Sequence, residues 1–410
     1  MPSMSTSPKP RLASLVEGLP PLYWLLWTGT LINRLGMFVV PFLTLYLTSQ
    51  RSIPVSQAAL MVSLLGAGSF LSQLVGGELT DRLGRRPVML ASFFINPLVL
   101  LALAYAKDLT WIALTTFLLG FFLDLYRPAV SAAIADLVEP PHRTRAYGYL
   151  YWAINLGAAL APLIAGFMAD RSFLVLFIAD AATTLVFGLL ILTGFRETRP
   201  PEAALHAART SLVERVTQLR RLPILLWFSF LFLFIGMIYA QGIVTLPLDM
   251  TAQGLGPSAY GSAIAVNGFL IILITIPVSN LAVNWPRFPT MAAGALFLGA
   301  GFGLTAFASG LPMFALCVAV WTVGEILGNA VAPVIMADLA PVELRGLFQG
   351  VQGSAWGLAF FLGPLLGGWV YERFGAFTLW MGAFGIGLAL FFAYFALGRA
   401  ASRRAAAVQP

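Results

Sequence analysis

Five ionisable side chains interrupt long apolar runs in this sequence: Arg34, Asp124, Arg127, Asp180 and Glu325. A charge at the centre of a bilayer costs roughly 2.5–3.5 kcal/mol on insertion scales, so a chain that keeps one there turns it toward protein or water and uses it. Asp124 and Arg127 stand three positions apart, which puts them on one helix face within reach of each other. Glu325 has Trp321 and Asn329 one turn to either side. The chemistry open to such a set is proton exchange, because burial favours the neutral acid while a neighbouring guanidinium favours the ionised one. Asp124 and Glu325 are therefore the candidate proton carriers, and Arg34 and Arg127 tune them or hold an anionic group. Tyr239 and Gln241 add polarity at similar depth in another run.

Other chemistries lack their parts. The two histidines, His142 and His206, lie in polar segments, and the one cysteine, Cys317, has no His or second Cys near it in sequence, so no metal site or nucleophile constellation is expected. No G-x-x-x-x-G-K-S/T loop is present to cradle a nucleotide. The chain is expected to be no enzyme and to need no cofactor.

The elements that must position the charges follow from composition. Of 410 residues 59% are hydrophobic and only 10% charged, against about a quarter charged in soluble proteins. This is a membrane chain with the lipid bilayer as its surroundings. Its first twenty residues are polar and Pro/Ser-rich without a signal-type apolar stretch, so the first hydrophobic run should remain as a span. A helix needs roughly 20 mostly apolar residues to cross. Such runs lie near 22–48, 57–79, 87–105, 109–136, 145–168, 172–194, 223–249, 258–282, 289–309, 312–338, 347–370 and 375–397. The predicted fold class is all-α integral membrane, with 12 transmembrane helices in two parallel six-helix repeats.

That division gives an N-terminal tail over 1–21, a six-helix bundle over 22–194, a linker over 195–222, a second bundle over 223–397 and a tail over 398–410. In the linker Leu205, Leu212, Val216 and Leu219 share a helical face, as expected of an amphipathic helix resting on the membrane surface. With the N-terminus cytoplasmic, eighteen of the 24 lysines and arginines fall on the inner side and four on the outer, leaving Arg34 and Arg127 within spans. Net charge +7 is thus mostly topology, and nucleic acid is not an expected partner. Both termini should be cytoplasmic, in an inner or plasma membrane, with the chain a monomer.

Sliding the sequence against itself by 202 positions sets Asp136 on Asp338, Arg143 on Arg345, Gly148 on Gly350, Pro162 on Pro364, Arg85 on Arg287 and Pro87 on Pro289. One ungapped register over that distance marks an internal repeat. Two halves with the same membrane orientation are parallel repeats, which place a site between them near mid-bilayer. Under this offset Glu325 falls on Leu123, opposite Asp124 at nearly the same depth.

Between the second and third runs the sequence reads Gly77-Glu78-Leu79-Thr80-Asp81-Arg82-Leu83-Gly84-Arg85-Arg86-Pro87. This resembles the G-x-L-x-D-R-x-G-R-R loop of the major facilitator superfamily. In it Gly77 allows close helix approach, Gly84 permits a turn and Asp81 accepts hydrogen bonds or meets the positive end of a neighbouring helix. The resemblance implies a cytoplasmic gate in which Asp81 meets the start of span 11 near Leu347 and Phe348, while Arg82 or Arg85 pairs with Asp136. The second copy has Val283 in place of the acid, so the latch should be one-sided.

Arg34-Leu35-Gly36-Met37-Phe38-Val39-Val40-Pro41 is similar to the first-span pattern of the superfamily's drug/proton antiporter branch. The stretch from Gly157 through Pro162 to Gly166 is similar to its G-x-x-x-G-P-x-x-G-G motif, with Ala161 and Ala165 replacing two glycines, while Gly363-Pro364-Leu365-Leu366-Gly367-Gly368 carries a fuller version in span 11. Small residues and prolines here also serve close packing and kinks. The resemblance implies efflux of amphiphilic small molecules or drugs in exchange for protons, with a proton gradient as energy source. A proton-coupled peptide symporter is an alternative, although Leu31-Ile32-Asn33-Arg34 keeps the arginine of its E-x-x-E-R run without either acid. A lipid or lysolipid flippase on the same scaffold is another.

Overall fold

The computed structural model describes residues 17–199, 223–282, 285–339 and 345–408, and among these every regular element is helical. The first half comprises α1 (Pro21–Leu35), α2 (Val39–Leu45), α3 (Val55–Leu83), α4 (Arg85–Tyr105), α5 (Leu109–Asp124), α6 (Tyr126–Leu137), α7 (Pro140–Ala169) and α8 (Phe173–Gly194). The second comprises α9 (Pro223–Val244), α10 (Leu246–Ala252), α11 (Pro257–Ala282), α12 (Arg287–Leu304), α13 (Gly310–Leu339) and α14 (Arg345–Val408). Among the described residues eleven helical stretches are long and apolar enough to cross a membrane, counting α1–α2, α5–α6 and α9–α10 as one stretch each. The helix predicted over the linker, and the residues 200–222 that would form it, lie outside the described residues.

The sequence separates spans over 347–370 and 375–397, yet α14 runs through both. The difference lies at Gly375, whose φ of 84° and ψ of 169° break the helix within one residue. A positive φ is open to glycine at little cost, so two helices meet without a loop between them. Helix also continues to Val408, past the predicted boundary at 397. The residues responsible, Arg399-Ala400-Ala401-Ser402-Arg403-Arg404-Ala405, are mostly strong helix formers with no breaker.

Three helix pairs are single runs broken inside the apolar region, and each break has a proline just beyond it. Pro41 follows the α1–α2 break, Pro128 the α5–α6 break and Pro247 the α9–α10 break. Proline donates no backbone hydrogen bond and its ring crowds the carbonyl four residues earlier, so the ladder opens there. Asp180 of α8 repairs the first break: its Oδ2 accepts from the backbone N–H groups of Phe38 and Val39, both at 3.1 Å. Its carboxylate therefore caps α2, a structural task for a charge that sequence marks only as unusual.

The two halves meet mainly toward the end away from the chain termini, the distal end. There the Ser56 N–H donates to Glu372 at 2.7 Å, the Ser258 N–H donates to Asp170 at 3.3 Å and Phe42 meets Tyr260 edge-on at 5.2 Å. Helices α7 and α11 cross at nearly bare backbone: a Cβ on Gly261 would stand 2.3 Å from the Pro162 carbonyl oxygen, and one on Gly268 would stand 2.1 Å from Ala159 Cα. Helix α7 passes through Pro162 unbroken. Helices α3 and α14 approach likewise, Gly66 against the Phe360 carbonyl and Gly368 against Ala59.

Candidate functional site

The α5–α6 break puts Asp124 at the last turn of one helix and Arg127 in the first turn of the next. Arg127 Nε lies 2.6 Å from Asp124 Oδ1, and Ser69 of α3 donates its hydroxyl to Oδ2. The acid is enclosed while the guanidinium is 46% exposed, so the pair has a dry side and an open side. Arg34 is buried at the end of α1; its Nη2 donates to the Tyr126 hydroxyl at 2.9 Å, and that hydroxyl donates onward to Asn33 at 3.3 Å. Among the described residues no carboxylate stands within ion-pair distance of Arg34. Gly157 lets α7 press on this point, since a Cβ there would lie 2.4 Å from Arg34 Cβ.

Glu325 lies midway along α13. Asn267 of α11 donates Nδ2 to its Oε2 at 2.7 Å and to Thr322 Oγ1 at 3.0 Å. The acid opens onto a cavity of about 240 Å³ lined by Phe232, Ile235 and Tyr239 of α9, Met291 and Leu298 of α12, Asn329 of α13 and Trp356 of α14. Tyr239 and Trp356 have ring centroids 5.6 Å apart, and Phe232 and Trp356 likewise 5.6 Å.

Trp321 and Gln241, both expected at the cavity, have other main partners, although the Trp321 ring still lies 6.3 Å from that of Tyr239. Trp321 is buried with its ring 4.0 Å from Phe302, filling space left by Gly242 and Gly301 on neighbouring helices. Gln241 follows Tyr239 by two positions, about 200° around a helix, so the two cannot share a face. Its Nε2 instead donates to the Gly363 carbonyl at 2.9 Å and ties α9 to α14. A Cβ on Gly363 would stand 3.0 Å from Ala240 Cβ, so α9 lies close against α14 next to Pro364. Asp124 and Glu325 belong to different halves, each with its own partners, and do not touch.

At the end of the molecule nearer the termini, Arg85 Nε lies 2.9 Å from Asp136, whereas Arg82 pairs with Glu78 one turn away at 2.5 Å. Gly84 adopts φ 106° between α3 and α4. Gly77 has nothing within 4 Å of where a Cβ would stand, and the closer approach belongs to Gly76, where a Cβ would stand 3.3 Å from Pro128. One residue turns a helix by 100°, enough to exchange those faces. The side chains of Asp81, Leu347 and Phe348 lie outside the described residues.

Glu197, just past α8, was not singled out from sequence. Its carboxylate accepts from the backbone N–H groups of Arg85 and Arg86 at 3.0 Å each and of Thr198 and Arg199 at 3.0 and 2.9 Å. Burial pushes its pKa up, but the four amide donors outweigh that and hold it below the usual carboxylate range. Ser69, Tyr126 and Asn267 were missed too; their one signal is a polar residue within an apolar run.

Long apolar helices around a charged, polar middle are the architecture of a polytopic membrane transporter. The model of the Major Facilitator Superfamily matches residues 26–250 and 242–409, and the chain belongs to that superfamily. It is 25% identical over 366 residues to the MFS-type transporter YqjV of Bacillus subtilis (strain 168), covering 88% of each chain. It is 26% identical to the multidrug resistance protein MdtH of Cronobacter sakazakii, covering 85% of this chain and 86% of that one. A crystal structure of a peptide transporter, POT, in complex with sulfate shares the fold at TM-score 0.73 and 19% identity, over 93% of this chain and 95% of that one.

Proposed function

We propose that this protein is a proton-coupled secondary carrier that expels amphiphilic small molecules in exchange for protons, by alternating access between two six-helix halves. The observation that carries the reading is a carboxylate at mid-span in each half, Asp124 held by Ser69 and Arg127, and Glu325 held by Asn267. An Arg127 guanidinium 46% exposed at that depth is tolerable only where it meets water, which argues for an aqueous path to the pair. The change of direction at Gly375, within the last of the eleven apolar stretches, supports a count of twelve spans. The excess of basic residues on the termini side supports an inner or plasma membrane with both termini cytoplasmic. On that orientation the distal contacts close the outer side. The multidrug name of a relative 26% identical is consistent with efflux.

The test is direction of coupling. Proteoliposomes carrying an outward gradient of a cationic amphiphile, with no initial pH gradient, should drive protons the opposite way, read by an internal pH dye. Protons moving with the solute would make the protein a symporter, and an unmoved internal pH would remove the coupling.

A further inference from the structure

We infer that the basic groove between the start of α12 and the end of α14, on the termini side of the molecule, binds the phosphate of an anionic phospholipid head group. The site is remote from the mid-span acids and does not depend on what the protein carries.

The first half shows what the second has lost. There Glu197 lies against the turn at Gly84, and its carboxylate accepts the backbone N–H groups of Arg85 and Arg86 at 3.0 Å each, so an anion meets the positive end of α4. The 202-residue register carries Arg85 onto Arg287 and Pro87 onto Pro289 at the start of α12, and it carries Glu197 onto Arg399. The second half therefore repeats the helix start but sets a guanidinium where the first keeps its carboxylate. No side chain caps α12 in its place. A helix start and an arginine facing one groove invite an anion from outside the chain.

The groove has a volume of about 550 Å³ and is lined by Arg287, Arg399 and Arg403 together with Ser402, Phe288 and Phe395. Arg399, Ser402 and Arg403 follow one another at spacings of three and four, which gathers them on one face of α14. Among the described residues no carboxylate lies within ion-pair distance of Arg399 or Arg403. The described acids of this half are elsewhere, Glu325 at mid-span and Asp249 and Glu372 toward the distal end. Guanidinium groups meet phosphate oxygens in paired hydrogen bonds, so phosphate is the anion such a cluster suits.

A lipid fits better than a soluble phosphate because of what lies beneath. Gly398 brings α14 close to α12, a Cβ there standing 2.6 Å from Phe288 Cβ, and the groove sits where the last span ends. Down the same face of α14 come Phe395 and then Phe392, the latter 63% exposed. A phospholipid can set its phosphate among the arginines and run its acyl chains past these rings, as basic pockets between helices on the inner side do. With no acid beside the arginines, a head group carrying its own ammonium is disfavoured.

The test uses the purified full-length chain in a neutral detergent, with dioleoylphosphatidylglycerol, dioleoylphosphatidylcholine and inorganic phosphate as probes at equal ionic strength. Binding is read by thermal shift, since a ligand of the folded state raises apparent stability, and by the lipid retained in native mass spectrometry. Phosphatidylglycerol should stabilise the protein and stay bound, and the other two probes should do neither at the same concentration. Arg399→Glu, which returns the first half's carboxylate, should weaken phosphatidylglycerol by about fivefold or more, and Arg399→Gln with Arg403→Gln by about fivefold for each charge removed. Arg373→Glu makes the same charge change at the distal end and should bind as the parent does. Equal effects of the two lipids, or an undiminished effect of phosphatidylglycerol in the folded double variant, would overturn the assignment. Inorganic phosphate acting as strongly as the lipid would overturn it too, in favour of a soluble anion.

Discussion

At the scale of single residues, charges of similar appearance in the sequence divide by what their neighbours do. Asp180 accepts two backbone N–H groups and holds the broken first span together. Asparagine there keeps an accepting oxygen and alanine does not, so Asp180→Asn should transport and melt nearly as the parent does. Asp180→Ala should lose about 1–2 kcal/mol, the usual cost of a lost cap, read by thermal unfolding. Arg127→Met should destabilise more weakly than loss of a fully buried partner, about 1 kcal/mol, because its guanidinium is half exposed and screened. Its larger effect should fall on transport, through the charge left on Asp124. The spacing of Asp124 and Arg127 was legible because a helix fixes what three positions mean. Ser69 and Asn267 were not, since a lone polar residue in an apolar run reveals its partner only after packing. Tyr239 and Gln241 seemed a pair by depth, and helix geometry sends them to opposite faces.

At the scale of elements, Glu197 joins the end of α8 to the start of α4 through four amide donors. Its pKa is depressed on folding, so its contribution is full above the ordinary carboxylate range and is lost as pH falls through the lower folded value. Protection of the Arg85 and Arg86 amides, measured relative to the intrinsic exchange rate at each pH, should therefore fall in acid, and Glu197→Gln should lower it and leave it nearly independent of pH in that window. The crossing of α7 and α11 has no room for a side chain at Gly268. Gly268→Leu should force these helices apart and show as faster labelling of distal cysteines placed along α11. Long apolar runs displayed the positions of the helices to within a few residues, because hydrocarbon thickness sets their length. Breaks within them were not read, although Pro41, Pro128 and Pro247 were the visible cause. Gly375 hid a boundary in the opposite way, by turning the chain in one residue where a loop was expected.

At the scale of the whole molecule, the middle of the first half carries Arg34, Arg127 and Asp124, and the middle of the second carries Glu325. The 202-residue register already sets Glu325 on Leu123, so the absence of a direct counterpart to this acid in the first copy was legible in the sequence. Closure of the distal end is testable directly. Ser56 and Glu372 are hydrogen-bonded across the halves, and the natural Cys317 is buried. A Ser56→Cys, Glu372→Cys protein treated with a short bifunctional thiol reagent should cross-link and stop transporting, whereas cross-linking without loss of transport would contradict opening at that end. The central claim is that mid-span carboxylates couple proton movement to cargo. Transport of a cationic amphiphile into liposomes under an imposed pH gradient, compared among the parent, Asp124→Asn, Glu325→Gln and the double variant, tests it most directly. The account predicts that at least one single variant and the double variant lose gradient-driven accumulation while remaining folded. Accumulation at the parental rate in the double variant would contradict it.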